Sequence, residues 1–503
     1  MMQQKKFLMS LMCLYLLQAC VPPLPGNQAR NPLLTVPKTY PEYGRQSPHS
    51  SSSIQKSHNS STADESWQSF FADNELNELI KTALKHNQEL KILEQEIQIA
   101  NNKIMARQGE YFPKLSAGFS YQVEKFGEFT SEGASDAATE FLPVPTVPGV
   151  LHNHQAGFFT TWEIDIWKKL RNATRSTYYH YLASIEARKF MVTHLVAEIA
   201  STYYELIALD KQLHIITRFI HTLKRAQEVA NIQKNSARAT SLAVKRFEAE
   251  VFKNQGRVYR IKQEIALHEN KLNALIGRFP QKIPRSAKQL DKLTPMQFKT
   301  GVPFKLLENR PDVKRSMLEL TASKIDIKVA RARFFPSLGI DAATGYEAFS
   351  GHYFLMTPES VFYNIAANIS APLLNRQAIK AAYFSANNKQ IQTLYNYNLT
   401  LLTAYKEVTN QLATINNLNK TYELRLQQVK ALMESVEIAN MLFKAARVDY
   451  LEILLTQRDL LEAQMELVEI KRDQLNGYVA LYKALGGGWR NALPSAVNNS
   501  LHQ

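Results

Sequence analysis

Leu306-Leu307-Glu308-Asn309-Arg310-Pro311-Asp312-Val313 opens the stretch that decides the fold, and Phe334-Phe335-Pro336-Ser337-Leu338 closes its first half. Pro311 suits a first helical turn, where the amide it lacks has no intrahelical partner. Apolar residues recur at helical spacing through Leu318, Ile325, Val329 and Ala332, and Pro336 disfavours helix for the residue before it. One helix is expected from Leu306 to Phe335. From Leu338 the period drops to two. Leu338, Ile340, Ala342, Thr344 and Tyr346 alternate with Gly339, Asp341, Ala343, Gly345 and Glu347, the pattern of a strand with one apolar face.

The same pattern stands 223 residues earlier, with Leu84 for Leu307, Leu90 for Val313, Phe112-Pro113 for Phe335-Pro336 and Leu115 for Leu338. This is an internal repeat. After Pro113, Leu115, Ala117, Phe119, Tyr121 and Val123 alternate with Ser116, Gly118, Ser120, Gln122 and Glu124.

Among 503 residues glycine is scarce, at 18, while Gln, Lys, Leu and Ala crowd the middle, so long helices are favoured. The formal charge of +15 raises nucleic acid as a partner. No helix-turn-helix, zinc-finger or RNP pattern accompanies the cations, which are spread along helices, so no nucleic-acid partner is expected. No nucleophile motif, phosphate loop or zinc spacing is present, so neither an enzyme nor a cofactor nor a metal is expected.

The two cysteines are Cys13 and Cys20. Lys5-Lys6 followed by the apolar run Phe7 to Leu17 reads as a signal peptide, residues 1–19, too short to span a bilayer as a mature helix. Leu17-Gln18-Ala19-Cys20 resembles the bacterial lipobox, with Gln18 a departure from its usual small residue. That resemblance makes Cys20 the lipidation site, and Val21, where inner-membrane retention wants Asp, points to the outer membrane.

Residues 20–66 are rich in proline and serine and read as a lipid-anchored extended linker. Residues 67–278 form the first structural repeat. A helix from about Asp73 to Phe112 leads to a strand reaching about Phe126, and Gly127 to Leu151 is a long loop holding His152-Asn153-His154 at its end. A second strand runs through Phe158, Trp162 and Ile166. From Lys168 to about Gln233 neither proline nor glycine occurs, which at about 1.5 Å per residue makes a rod of roughly 100 Å. A returning helix, Ser241 to Ile276, ends at Gly277, where a left-handed cap is expected. Residues 279–304 are an irregular connector. Residues 305–486 repeat the plan, with strands from Leu338 and through Tyr363 to Ala371 and long helices from about Gln377 and Asp449. Residues 487–503 form a tail.

Four strands of about 10 residues match the reach of a transmembrane β-strand. They are too few to close a barrel alone; two copies bring 8 strands and three bring 12. The other face of these strands, with Ser116, Gln122, Glu124, Glu163, Asp165, Asp341, Glu347, Asn364 and Asn368, suits a wet lumen.

Taken in order, Arg310-Pro311-Asp312, Phe334 to Leu338, Trp162-Glu163-Ile164-Asp165-Ile166-Trp167, Asp449-Tyr450-Leu451 and Leu481 to Trp489 resemble the TolC-like outer membrane efflux channels, in their lipoprotein branch serving resistance-nodulation-division pumps. The resemblance implies a mainly α fold with a membrane β-barrel: four strands per chain, a 12-stranded barrel in a homotrimer, and a long α-helical periplasmic barrel. It also implies a passive exit duct for small molecules, supplied by an inner-membrane pump and a periplasmic adaptor. Two alternatives stay open, a type I protein-secretion channel and a non-conducting coiled-coil scaffold lipoprotein.

The resemblance further places adaptor contacts at the hairpin turns, Ala237 and Arg238 in the first and Ala446, Arg447 and Val448 in the second. The two alanines stand where the family usually has glycine. It puts the constriction at Phe443, Asp449 and Glu452, although Phe443 and Val448 replace the tyrosine and arginine of the usual latch. Three copies of Glu452 around one axis would repel one another and attract cations. Tyr121, Trp162, Trp167 and Tyr346 are candidates for interfacial girdles, the tryptophans alternatively packing at the junction of barrel and helices.

Overall fold

The structure is a computed structural model describing residues 21–24, 31–32, 36–37, 39–40, 62–71, 73–139, 147–236, 240–285, 290, 293, 303–372, 376–444 and 447–490. Cys20, Ala237, Arg238, Ala446 and the signal peptide lie outside the described residues. In chain order the elements are α1 (Trp67–Phe70), α2 (Asn74–His86), α3 (Gln88–Gly109), β1 (Lys114–Glu124), α4 (Ser131–Ala138), β2 (Leu151–Ile164), α5 (Lys169–Asn235) and α6 (Ser241–Ile276). The second half holds α7 (Leu306–Asn309), α8 (Pro311–Ala332), β3 (Ser337–Ala348), β4 (Val361–Ser370), α9 (Gln377–Lys444) and α10 (Tyr450–Ala484). The chain divides into two compact units. One holds Gln98–Leu182 and Leu318–Tyr395 with the N-terminal residues to Pro32; the other holds Leu33–Ile97, Ala183–Met317 and Asn396–Gln503.

In the first unit the strands form one antiparallel sheet in the order β1-β2-β3-β4. The loop expected up to Leu151 contains α4, and His152, Asn153 and His154, expected at its end, belong instead to β2, which begins at Leu151, and pair with Val123, Gln122 and Tyr121. At the other end β2 stops at Ile164, and Asp165 leaves the strand face. Its carboxylate accepts hydrogen bonds from Leu170 N (3.0 Å) and Arg171 N (2.9 Å), satisfying free amides at the start of α5. Beside the sheet, Phe334 meets Tyr383 edge-on at 5.6 Å, and Val21 and Leu24 of the N-terminal segment pack against this pair.

In the second unit Trp67, Phe71, Leu76 and Ile80 are buried with Ile199, Tyr203, Leu272, Leu475 and Val479. Phe70 stacks on Tyr482 at 4.1 Å, and Tyr40 stacks on Tyr405 at 5.6 Å. Burial and the nearby Asp73 and Glu75 carboxylates raise the Tyr203 pKa.

Both expected lead helices are broken, one at Asn87 and one at Arg310, and these breaks are 223 residues apart. Asn87 accepts from Leu90 N (3.0 Å) and donates through Nδ2 to Leu275 O near the end of α6 (2.9 Å). Arg310 donates through Nη1 to Ala484 O at the end of α10 (3.0 Å) and to Glu407 (2.7 Å). Its Nε and Nη2 hold the Asp312 carboxylate at 3.0 and 2.6 Å. Burial opposes the Arg310 charge, but hydrogen bonding to Asp312 and the charges of Asp312 and Glu407 outweigh it and raise the pKa.

The returning helices end alike. Gly277 (φ 80°) and Gly486 (φ 88°) are left-handed, with Arg278 N donating to Asn273 O (3.0 Å) and Gly487 N to Tyr482 O (3.0 Å). An added Cβ would lie 2.4 Å from His86 O at Gly277 and 2.6 Å from Asn309 O at Gly486. In each repeat, therefore, the residue at the break caps a returning helix whose terminal glycine lies against the carbonyl just before it. The tail begins fixed in place: Trp489 Nε1 donates to Asn309 O (3.2 Å), and Arg490 pairs with Asp64 (3.0 Å).

Gly277→Ala and Gly486→Ala each combine a left-handed backbone with a backbone clash and are expected to cost at least about 2 kcal/mol. Gly256→Ala, in α6 with nothing within 4 Å of the new Cβ, is expected to be neutral or stabilising. Thermal melting of the three purified variants checks this, and equal melting temperatures would contradict it.

Candidate functional site: the two-faced sheet and the hairpin tips

The register places every side chain of the sheet on one of two faces. Cross-strand partners share a face, so Phe119, Ala156 and Tyr346 align on one side, as do Trp162, Ile340 and Ala367. Among the described residues Phe354 packs against Phe119 and His154 at the loop end of this apolar face, while on β4 it is open: Tyr363, Ile365 and Ile369 are 82%, 79% and 76% exposed. The opposite face is polar. Asn153 Nδ2 donates to Glu124 (3.3 Å), Gln155 Nε2 to Glu347 (3.4 Å) and Asn368 Nδ2 to Asp341 (2.6 Å), while Glu163 pairs with Lys169.

Gly118, Gly157 and Gly345 lie side by side on the polar face. A Cβ at Gly157 would sit 2.4 Å from Thr344 O and one at Gly345 2.1 Å from Ala156 O, while the Phe159 ring lies 3.3 Å from the position of a Gly118 Cβ. Bare backbone there lets the strands approach closely and bend the sheet toward its polar side, the glycine kink that barrel curvature uses.

Aromatic residues mark both ends of the apolar face. At the helix end, Trp162 Nε1 donates to Tyr111 O (2.8 Å) and Trp167 Nε1 to Pro336 O (2.7 Å), with Trp167 stacked on Phe335 at 4.7 Å. Trp167 lies beyond β2, in the junction. At the loop end, Tyr121 OH is 2.7 Å from His152 Nδ1 and Tyr346 OH is 3.1 Å from Thr357 Oγ1. The nine residues of β2 from His154, opposite Tyr121, to Trp162 span about 27 Å along the strand, close to the roughly 25 Å apolar band of outer-membrane barrels.

At the second hairpin turn, Asp449 caps α10 by accepting from Tyr450 N (2.7 Å), and Arg447 N donates to Leu442 O (2.9 Å). Arg447 and Asp449 are exposed and Val448 is half-buried. Glu452, in the first turn of α10, is exposed. Phe443 is half-buried in a cavity of about 290 Å³ with Val229, Phe247, Tyr450 and Ile453. Within one chain it packs between the two hairpins, apart from the exposed Glu452.

Residues 79–278 and 302–487 match the family model described as outer membrane efflux protein. The chain belongs to that family. The cation efflux system protein CusC of Escherichia coli O6:H1 is 24% identical over 424 residues, 84% of this chain and 88% of CusC. The pyoverdine export outer membrane protein OpmQ of Pseudomonas aeruginosa is 25% identical over 425 residues, 84% of this chain and 88% of OpmQ. Among solved structures, the open-state MtrE outer membrane channel of Neisseria gonorrhoeae has a TM-score of 0.78 at 21% identity, over 94% of this chain and 99% of that one. CusC has 0.76 at 22%, over 93% and 99%. At those identities the structural likeness establishes the fold. The protein is thus an outer membrane efflux channel subunit, mainly α with a barrel-forming sheet.

A charge on the apolar face must enter hydrocarbon, at about 2–4 kcal/mol near the midplane. Ile365→Arg is therefore expected to prevent stable insertion into vesicles, whereas Asn364→Arg, one residue away on the polar face, is expected to insert. Equal insertion of both, read by protease protection, would overturn the assignment of faces.

Proposed function

We propose that three copies of this chain share one 12-stranded barrel and one helical conduit, forming the passive exit duct of a tripartite pump for small toxic compounds. The observation that carries this reading is the two-faced, four-stranded sheet with β1 and β4 at its edges. An open edge cannot sit in lipid, and an 8-stranded barrel from two copies would be filled by its own side chains. Three copies are the smallest number that leaves a bore.

In this reading the hairpin turns meet a periplasmic adaptor through Ala237, Arg238, Ala446, Arg447 and Val448, which links the duct to an inner-membrane pump. Glu452 and Asp449 ring the entrance, and Phe443 braces the hairpins behind it. Acylated Cys20 anchors the N-terminus in the outer membrane. Val21 and Leu24, packed beside Phe334 and Tyr383 in the sheet-bearing unit, are consistent with an anchor near the barrel. Residues 67–278 and 305–486 act as equivalent halves joined by the connector 279–304.

A photo-crosslinker at Arg447 in the host envelope is expected to capture a periplasmic adaptor, while one at Lys420, higher on α9, is not. Capture of a secretion-system adaptor would move the duct to protein export, and self-crosslinking alone would contradict adaptor docking at the tip. Cys20→Ser is expected to remove the acyl mass in intact-protein mass spectrometry while leaving the chain in the outer membrane, since the barrel still holds it. An unchanged mass would contradict the lipidation.

A further inference from the structure

The loops joining β1 to β2 and β3 to β4 leave the same end of the sheet but differ in chemistry. Residues 125–150 carry Lys125 and four acids, Glu128, Glu132, Asp136 and Glu140, whereas residues 349–358 read Phe-Ser-Gly-His-Tyr-Phe-Leu-Met-Thr-Pro, without Asp, Glu, Lys or Arg. The second loop is folded by its own backbone: Tyr353 N donates to Ser350 O (3.1 Å), Met356 N to Tyr353 O (3.1 Å) and Ser360 N to Met356 O (2.9 Å). It lies on the apolar face. Phe354 meets Phe119 of β1 edge-on at 6.1 Å and the His154 ring of β2 at 5.6 Å. Gly351 approaches the same ring, a Cβ there lying 3.5 Å from it, and Thr357 Oγ1 is 3.1 Å from Tyr346 OH of β3. Phe119, His154 and Tyr346 all belong to the apolar side of the register, so three strands hold the loop on that side. Leu355 and Met356, at its tip, are 71% and 43% exposed.

We infer that the β3–β4 loop is an apron inserted into the membrane: it lies against the lipid side of the barrel wall, clear of the bore, with Leu355 and Met356 among the acyl chains near the headgroup boundary. This rests on the reading of the sheet as part of a lipid-embedded barrel. Lipid is the occupant because the loop continues a surface that already faces it. Tyr121 and His154 begin the apolar band of the sheet, and Phe354 adds a layer to that band at its loop end. No charge along residues 349–358 has to leave water, and apolar and aromatic side chains of this kind collect at membrane interfaces. A loop folded over the mouth would instead meet the polar side, where Asn153 and Gln155 hold Glu124 and Glu347. The acid-bearing β1–β2 loop suits water.

The test is the environment of a nitroxide label on full-length Leu355→Cys protein, in a Cys13→Ser, Cys20→Ser background, reconstituted into vesicles of phosphatidylethanolamine and phosphatidylglycerol. Electron paramagnetic resonance power saturation compares collisions with oxygen, which concentrates in hydrocarbon, and with a nickel chelate, which stays in water. Labels on Ile365→Cys, on the lipid side, and Asn364→Cys, on the bore side, calibrate the scale. The oxygen-to-nickel ratio at residue 355 is expected to exceed that at 364 by at least about threefold and to approach that at 365. A ratio at 355 equal to that at 364 overturns the inference, placing the loop in water or over the mouth. A label at 355 shielded from both reagents also overturns it, since a neighbouring copy would then cover the loop. Equal ratios at 364 and 365 sink the barrel reading itself, and the apron with it.

Discussion

Backbone hydrogen bonding in hydrocarbon is the constraint from which the rest follows. A strand edge in lipid leaves a row of amide and carbonyl groups without partners, each costing several kcal/mol. Here four strands present a greasy face to the outside and a polar, glycine-bent face to the inside, with β1 and β4 at the edges. Because the strands alternate in direction, β4 of one copy can meet β1 of the next in the antiparallel sense. That contact is head-to-tail and closes into a ring. The mixed character of the sheet, too apolar for water on one side and too polar for lipid on the other, is resolved only by such closure.

The second unit solves a different problem, that of holding long helices in register. Each repeat uses the same device: a lead helix broken at one residue, that residue capping the helix that returns, and a left-handed glycine at the contact. The chemistry differs between copies. Asn87 works through a neutral amide, whereas Arg310 is a buried cation that holds Asp312 and Glu407 as well as Ala484 O. The arginine of the Arg310-Pro311-Asp312 motif thereby joins the start of α8, the middle of α9 and the end of α10.

Much of this was legible in the chain. Period-two alternation after each Phe-Pro located β1 and β3, since alternation survives wherever one face is buried and the other wet. Gly277 announced its own cap, and the repeat at 223 residues was visible before either copy was seen folded. The breaks at Asn87 and Arg310 were not. Each has a local cause that the long helical period masked, Asn87 capping α3 through Leu90 N and Pro311 disfavouring helix at Arg310, and a tertiary one: the carbonyls of Leu275 and Ala484 reach them from about 190 and 170 residues away in sequence. The early start of β2 was missed for a related reason, as Leu151 to Gln155 lack β-branched residues and are recruited by pairing with Ser120 to Glu124. Asp165 looked like one more luminal acid by parity, but it falls one residue past the strand and serves the helix instead. At the tips, Phe443, Asp449 and Glu452 were named from the family resemblance; that Asp449 caps α10 and that Phe443 lies among residues of both hairpins is set by packing that sequence spacing does not reveal.

The central claim, edge-to-edge closure between copies, is tested most directly by pairing a cysteine at Ser120 on β1 with one at Ala366 on β4, in a Cys20→Ser, Cys13→Ser background, and oxidising the protein in outer-membrane vesicles. The account predicts covalent dimers and trimers joined β1 to β4, with no larger species and no bridges from either single-cysteine chain. Chains that remain monomeric in the membrane, or bridges joining β1 to β1, would contradict it.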